Sequence, residues 1–345
     1  MRVANIMLGR GKGGLEQCVV DYAEALADRC ESVFSVVDPL SPYVVALGEI
    51  PGKTECLRQR GEWDIFAAMR LKKILRRIDA DVIICHGNRA FRLARKAAKK
   101  RPVVFVTHNE RLKSARRADA VFATNNAFFA DAARMGFTPD ENLFLIPNMV
   151  RAPMQKPRPR QYGKPIVIGF LGRLSRRKGA HILLEAAKIL EETPGAPDFS
   201  LYIGGDGEEK ERLQKLCRKL GLQRKTTFAG WIEDKPAFFR KIDIFCLPSV
   251  VEAFGIALVE AMGGGVPAVA TDCLGPRDVI DHKRTGLLAP AGNARLLAET
   301  LEAMMKKTPE ETAHMTEAAF TRAEDFNVPR VGHAIYAALK KIVNS

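Results

Sequence analysis

The sequence predicts an α/β protein of two doubly wound, parallel-sheet domains, and three observations carry that reading. The chain has 345 residues, beyond the size at which one hydrophobic core keeps growing, so two cores are expected. Apolar runs of strand length alternate with longer amphipathic runs along nearly the whole chain, the pattern of repeated βαβ units. One stretch of different composition divides them. Residues 151–165, RAPMQKPRPRQYGKP, hold four prolines and five basic residues without an acid, and such a segment is stiff and extended, suited to a hinge.

Composition narrows the class. At 47% hydrophobic residues each half can bury a core. The seven cysteines (18, 30, 56, 85, 217, 246 and 273) are scattered singly, without CxxC or Cys/His spacing, so neither a disulfide framework nor structural zinc is expected. The opening MRVANIMLGR lacks the long apolar region and small-residue cleavage site of a signal peptide, and no run approaches the ~20 apolar residues of a spanning helix. The expectation is a cytoplasmic protein. The net charge is +14, and residues 70–117 concentrate it, with 16 Lys and Arg against the three acids Asp79, Asp81 and Glu110. Such a run attracts nucleic acid, anionic lipid or an acidic substrate, and charge alone does not choose among them.

In the first half, RVANIML (2–8) reads as a buried strand and Leu15–Ala27 as an amphipathic helix with Leu15, Val19, Tyr22, Ala23 and Leu26 at helical spacing. Between them lies GRGKGG, a strand–glycine loop–helix arrangement that can cradle phosphate. Strand VFSVVD (33–38) follows, and 39–62 reads as irregular. Residues 63–78 form a helix whose apolar side is assigned to Ile65, Phe66, Met69, Ile74 and Ile78. Strand 81–85, a basic helix near 89–100 and strand 103–107 lead to His108 at a strand's carboxyl end, where ligands bind in open α/β sheets. Strands 120–124 and 143–150 with helix 126–135 complete this sheet. Asp79-Ala80-Asp81 spells a DxD that can bind a divalent metal when it lies in a loop after a strand, but here it closes a helix and opens a strand, where surface acids are ordinary.

The second half opens with strand IVIGFLG (166–172), then RLSRRKG and helix 180–192, which place Arg173 and Lys178 where cations and helix N–H groups converge on an anion. FSLYIGGDGEEKERLQKLC reads as strand, turn and helix, TTFAGWI as a strand, AVATDCLGPRDVI as strand, turn and helix. GLLAP (286–290), helix 293–306 and a terminal helix near 329–343 end the chain. The centre of this half is CLPSVVEAFGIALVEAMGGGVPAVA (246–270). Its glutamates Glu252 and Glu260 are eight residues apart; with a helix starting near Phe254 or Gly255, Glu252 precedes the helix mouth and Glu260 lies about a turn and a half inside. The first N–H groups, around Phe254, Gly255 and Ile256, lack intrahelical partners and carry partial positive charge, Gly255 admits close approach, and Gly263–Gly265 ends the helix.

PSVVEAFGIALVEAMGGGVPAVATDCLGPRDVI resembles the donor-site signature of the retaining, family-4 (group 1) glycosyltransferases, and Gly13-Gly14, His108, GRLSRRKG and IGGDGEEKERL stand in the order and at the separations of that family. The resemblance covers nearly the whole chain. It implies a GT-B fold: two Rossmann-like domains facing a cleft, an acceptor-binding domain over 1–160, a nucleotide-sugar-binding domain over 161–328, and a terminal helix, 329–345, returning to the first domain. It implies transfer of a sugar from a UDP- or GDP-sugar to a hydroxyl of a glycan or lipid-linked acceptor, with retained configuration. It implies that no cofactor or metal is required, with Arg173 and Lys178 binding the pyrophosphate in place of a divalent ion. On this reading Gly13 and Gly14 would lie against the donor diphosphate, with Lys12 an addition of this chain; His108 would contact the donor sugar, Glu252 would orient it, and Glu260 would hold ribose hydroxyls. Asp278 stands where the family has Glu, and its shorter side chain leaves that contact in doubt. The basic first domain adds an anionic membrane surface through 70–117 as a partner, which would place the protein peripherally on the inner face of the cytoplasmic membrane. Two other readings share these residues: a nucleic-acid- or membrane-binding protein without transferase activity, which lacks interleaved aromatics in 70–117 beyond Phe91 and Phe105, and a donor-binding but inactive relative.

Overall fold

The structure, a computed structural model, describes all residues except 12, 62, 109–111, 137, 152–161, 163, 164 and 345, and the side chains of 15 and 112–114 are likewise not described. Lys12, Arg111 and most of the expected hinge thus lie outside the described residues.

The chain forms two compact units, Met1–Arg151 with Phe326–Ser345, and Ala152–Asp325. The first contains β1 (Arg2–Met7), α1 (Gly14–Ala27), β2 (Ser32–Val37), α2 (Val44–Gly48), β3 (Lys53–Cys56), α3 (Ile65–Arg77), β4 (Val82–His86), α4 (Asn88–Ala97), β5 (Val103–Thr107), β6 (Ala120–Ala123), α5 (Asn126–Arg134) and β7 (Leu143–Leu145). The second contains β8 (Ile166–Leu171), α6 (Ala180–Glu192), β9 (Phe199–Gly204), α7 (Lys210–Lys219), β10 (Thr226–Gly230), α8 (Lys235–Arg240), β11 (Ile244–Leu247), α9 (Ile256–Gly263), β12 (Ala268–Thr271), α10 (Leu274–Val279), β13 (Leu287–Ala289), α11 (Ala294–Met305) and α12 (Pro309–Glu324). The last helix, α13 (Val328–Asn344), belongs to the first unit, where Val331, Ile335 and Leu339 enter the core around β1 and α1. Burial of each such side chain contributes about 1.5–3 kcal/mol relative to exposure, which anchors the helix there.

The strand orders are β3-β2-β1-β4-β5-β6-β7 and β10-β9-β8-β11-β12-β13, and every paired strand is parallel. Central strands such as β1, β4 and β5 are buried on both faces, as parallel strands covered by helices must be. In each sheet the order reverses once, between β1 and β4 and between β8 and β11. Loops leaving the carboxyl ends of those strands diverge and open a crevice, the place where doubly wound sheets bind ligands. Each of the two units has its own switch point.

Several elements differ from their sequence expectation. The stretch 39–62 is not irregular throughout: it holds α2 and an edge strand, β3, paired to β2 from Phe34↔Lys53 to Val37↔Cys56. Helix α3 buries Ala67, Ala68, Leu71 and Leu75, so the face assigned to Ile65, Phe66 and Met69 points to solvent. Small alanines allow close approach to α4, which buries Ala90, Ala94 and Ala97 in turn, and this close packing wins over the larger residues one face away. The strand expected over 143–150 stops at Leu145, with Val150 making one isolated bridge to Asn327. Helix α12, not foreseen, carries its own start signal: Thr308 Oγ1 accepts from the Glu311 N–H, Glu311 answers to the Thr308 N–H, and Pro309 sits at the first turn.

A candidate donor site at the carboxyl edge of the second sheet

Arg173, Lys178, Glu252, Phe254, Gly255, Ile256 and Glu260 all fall in the second unit, on loops leaving β8 and β11 or on α9. After β8 the chain turns through a 3-10 segment, Arg176–Lys178, into α6 at Gly179. Gly179 has φ +71°, and a Cβ there would come within 1.8 Å of the Pro248 carbonyl oxygen. Only glycine lets the turn after β8 touch the loop after β11 so closely. The contact is fastened by the Val250 N–H donating to the Arg177 carbonyl at 2.8 Å.

This approach brings the Lys178 ammonium onto the Glu252 carboxylate in a short ion pair; their side chains are 30% and 12% exposed. Glu252 also accepts at its carbonyl from the Gly275 N–H, 2.9 Å away. Arg173, at the surface of the same turn, has no carboxylate partner among the described residues. A guanidinium kept unpaired beside a crevice offers a planar fork of donors to a diphosphate.

Helix α9 begins at Ile256, a residue or two later than expected, because Gly255 takes φ +98° and serves as its cap. That left-handed turn leaves the mouth of the helix without a capping side chain, while Phe254 is buried beneath it and packs its backbone against Gly275. Inside the helix Glu260 is 14% exposed and pairs with Lys235 at 2.6 Å; its Oε2 is buried without a partner among the described residues. Burial raises its pKa, opposed by Lys235. Lys235, at the start of α8 behind the Asp234 N-cap, was missed in the sequence; DKP after a strand gave only a helix-start signal.

Gly13, Gly14 and His108 fall in the first unit. Gly13 caps α1 in an extended conformation, φ −154°, and its carbonyl accepts from the Tyr43 hydroxyl at 3.2 Å. His108 follows β5 and meets a residue the sequence did not single out, His86 at the end of β4, with Nε2 3.1 Å from His86 Nδ1. His86 Nε2 in turn lies 2.8 Å from Asn5 Oδ1, and Asn5 Nδ2 donates to the Val19 carbonyl at 2.7 Å. Since the Asn5 amide is oriented by Val19, its oxygen faces His86, so His86 donates from Nε2 and accepts at Nδ1 from His108. His108 is then left with an unprotonated Nδ1, a buried acceptor without a partner among the described residues. Burial pulls the His108 pKa down to about 3, and burial with the neighbouring His108 pulls His86 well below its usual value. Both rings are neutral at physiological pH.

Asp79 and Asp81 are engaged elsewhere. Asp81 accepts from the Arg2 N–H at 2.6 Å, and Asp79 pairs with Arg2 and Arg101 at 2.8 and 3.5 Å. They tie β1 to β4 at the amino edge of the first sheet, away from either switch-point edge. Among the described residues no group of three His, Cys, Asp or Glu side chains is arranged to hold a metal ion, and no helix is long and apolar enough to cross a membrane.

Residues 153–322 match the glycosyl transferases group 1 family and residues 12–152 match glycosyltransferase family 4. The chain belongs to this glycosyltransferase family. It is 31% identical over 322 residues to a phosphatidyl-myo-inositol mannosyltransferase of Mycobacterium leprae, covering 85% of this chain and 84% of that one. It is 27% identical over 314 residues to the lipopolysaccharide core biosynthesis glycosyltransferase LpsE of Rhizobium meliloti, covering 88% of each. Its fold matches that of Anabaena HepE in complex with UDP and glucose, with a TM-score of 0.85 at 22% identity over 99% of this chain and 100% of that one. The two sheets are those of a GT-B glycosyltransferase.

Proposed function

We propose that this glycosyltransferase moves a sugar from a UDP- or GDP-sugar to a hydroxyl of a glycan or lipid-linked acceptor, with retained configuration and without a metal, in the assembly of lipopolysaccharide or another surface polysaccharide. The observation that carries the donor part is the charge arrangement after β8 and β11: an unpaired Arg173, a Lys178 held by Glu252, and a helix mouth opened by the left-handed Gly255. The leaving diphosphate develops charge as the glycosidic bond breaks, and preorganised cations and N–H groups stabilise it most where water is excluded. Lys178 can turn from Glu252 to the diphosphate, which frees the carboxylate to accept from sugar hydroxyls. Glu260, with one unpartnered oxygen, suits ribose hydroxyls. His108 and the Gly13–Gly14 turn belong to the first unit, and their part toward donor sugar and diphosphate is carried by the resemblance; the network around His108 supports a role as hydrogen-bond acceptor for a sugar hydroxyl rather than as an acid. The names of the relatives support surface-glycan assembly.

A peripheral membrane position at the cytoplasmic face is supported by the solvent face of α3. Trp63, Ile65, Phe66 and Met69 are 68%, 65%, 70% and 49% exposed, with Arg92 4.9 Å and Lys96 5.2 Å from the Trp63 ring centre. Exposed aromatic and aliphatic groups ringed by cations suit an interface of anionic headgroups, where each basic residue gains about 1 kcal/mol.

A thermal-shift panel of UDP, GDP, ADP and their sugars in the presence of chelator tests the donor reading. A ligand at 100 times its Kd adds about 2.7 kcal/mol, so a base-selective rise in Tm without metal is expected. A rise seen only with added manganese or magnesium, or none with any nucleotide, would refute it.

A further inference from the structure

The carboxyl edge of the first sheet, where Gly13, Gly14 and His108 also lie, forms a cavity whose lining the donor reading leaves unassigned. The loops leaving the carboxyl ends of β1 and β3 and the first turns of α3 and α4 form a cavity of about 970 Å³ lined by Arg10, Arg58, Gln59, Arg60, Asp64, Phe66, Arg70 and Arg89. Five of the eight are arginines and one is an acid. Arg58 and Arg60 have no carboxylate partner among the described residues, and the Arg60 N–H donates to Asp64 Oδ2 at 3.0 Å while Oδ1 caps α3 through the Ala67 N–H at 2.8 Å. Asp64 is therefore occupied by backbone, and its carboxylate is held in the ionised form chiefly by those bonds.

The other guanidiniums are fixed in place. Asp38, fully buried at the end of β2, holds Arg10 through Nε and Nη2, both at 3.1 Å, and the Gln59 carbonyl takes a further bond at 3.3 Å. Arg70 donates to the Arg58 carbonyl at 2.7 Å and Arg89 to the Leu8 carbonyl at 3.2 Å. The buried Gln59 side chain donates toward Leu8 and Asp38, which leaves its Oε1 without a donor among the described residues. A stability device would pair arginines with acids. Arg10 has such a partner in Asp38, but Arg58, Arg60, Arg70 and Arg89 have no carboxylate partner among the described residues; these like charges on one concavity are unfavourable until an anion enters, and Arg10, Arg70 and Arg89 are prepositioned so that little side-chain entropy is lost on binding.

We propose that this cavity is the acceptor subsite and that it takes a phosphate monoester carried by the acceptor. The inference rests on the transferase reading above and deepens it by naming the acceptor's chemistry. A phosphate monoester brings close to two negative charges and three strong acceptor oxygens, enough to engage several guanidiniums in bidentate pairs, whereas a sugar carboxylate brings one charge and occupies one fork. At about 970 Å³ the cavity lies within the range of small-molecule sites, and it sits at the switch point between β1 and β4.

The test is calorimetric titration of the full chain with glucose 6-phosphate and with glucose, in chelator and with UDP present throughout so that the second unit's site is filled. The phosphate ester binds and glucose does not; Arg58→Gln/Arg60→Gln weakens the phosphate ester at least about tenfold, the loss of two charge-assisted hydrogen bonds, while UDP binding measured separately persists. Lys72→Gln/Lys73→Gln removes the same charge from the outer part of α3 and leaves the affinity unchanged. Equal binding of glucose, or equal losses in the two double variants, would overturn the proposal. So would Arg58→Gln/Arg60→Gln lowering retention on phosphatidylglycerol vesicles with glucose 6-phosphate affinity intact, since the charge would then serve lipid headgroups. Loss of UDP binding in the unmodified chain, with the phosphate ester still bound at this cavity, would instead refute the donor reading.

Discussion

The two switch-point edges share a topology and differ in how they keep their charge. In the second unit each candidate carboxylate arrives with a cation of its own, Glu252 with Lys178 and Glu260 with Lys235, and Arg173 has no carboxylate partner among the described residues. In the first unit the arginines outnumber the acids around the cavity, and most are held through carbonyl oxygens. On the function proposed above, the second edge exchanges partners, a diphosphate drawing Lys178 away and releasing Glu252 to the sugar. The first is arranged to wait for an anion. The same strand order thus supports two recognition strategies, because function resides in the loops rather than in the sheet.

The comparison breaks most sharply at Glu252. Glu252→Ala removes the carboxylate proposed to orient the sugar and strands Lys178; turnover should fall roughly 10²–10³-fold, the loss associated with one preorganised polar group, while UDP still binds in calorimetry. Comparable turnover would mean that the ion pair is structural only. Gly179→Ala acts on the scaffold beneath it: a Cβ 1.8 Å from the Pro248 carbonyl forces the two loops apart, with an expected cost of about 2–4 kcal/mol seen as a lower Tm. An unchanged Tm would show that the close approach is dispensable.

The first unit offers three further checks. Trp63→Ser/Phe66→Ser should abolish most retention on phosphatidylglycerol vesicles while Tm hardly changes, since both rings are exposed; full retention would remove the membrane role of α3. The histidine pair gives a pH dependence. Both folded pKa values lie below the unfolded value of about 6.5, His108 at about 3 and His86 lowered in the same direction. The unfolded chain therefore binds more protons between about pH 6.5 and 3, so stability falls as pH drops through that window, by up to about 1.4 kcal/mol per pH unit for each ring. His86→Leu should flatten the slope of Tm against pH. The smallest effect is expected at the amino edge, where Asp79→Asn should lower Tm slightly and leave turnover within about twofold, because an exposed ion pair contributes about 0–1 kcal/mol.

What the sequence revealed follows the same division. Both sheets and the residues after β8 and β11 were legible, because buried parallel strands are continuous apolar runs and the second edge is encoded in one contiguous motif. The first edge was not. Arg10, Arg58, Arg70 and Arg89 lie far apart in the chain and converge only through the order β3-β2-β1-β4, and β3 itself, KTEC, is an edge strand too polar to show alternation. The face of α3 was misread because side-chain size was taken for burial, whereas Ala67 and Ala68 pack inward. His86 was hidden for another reason: nothing in VIICH distinguishes a histidine aimed at a neighbouring strand from one that merely ends its own. Helix α12 is marked in the sequence only by the capping box of TPEE, because its apolar stripe is weak.

The central claim is that the second edge binds a nucleoside diphosphate through its own cations. Calorimetric titration of UDP and GDP in chelator, on the unmodified chain and on Arg173→Gln, tests it most directly. The account predicts binding of one of them without metal and a loss of roughly 10- to 100-fold in the variant, the equivalent of charge-assisted hydrogen bonds to a diphosphate. Binding that needs a divalent ion, or that is indifferent to Arg173, would contradict it.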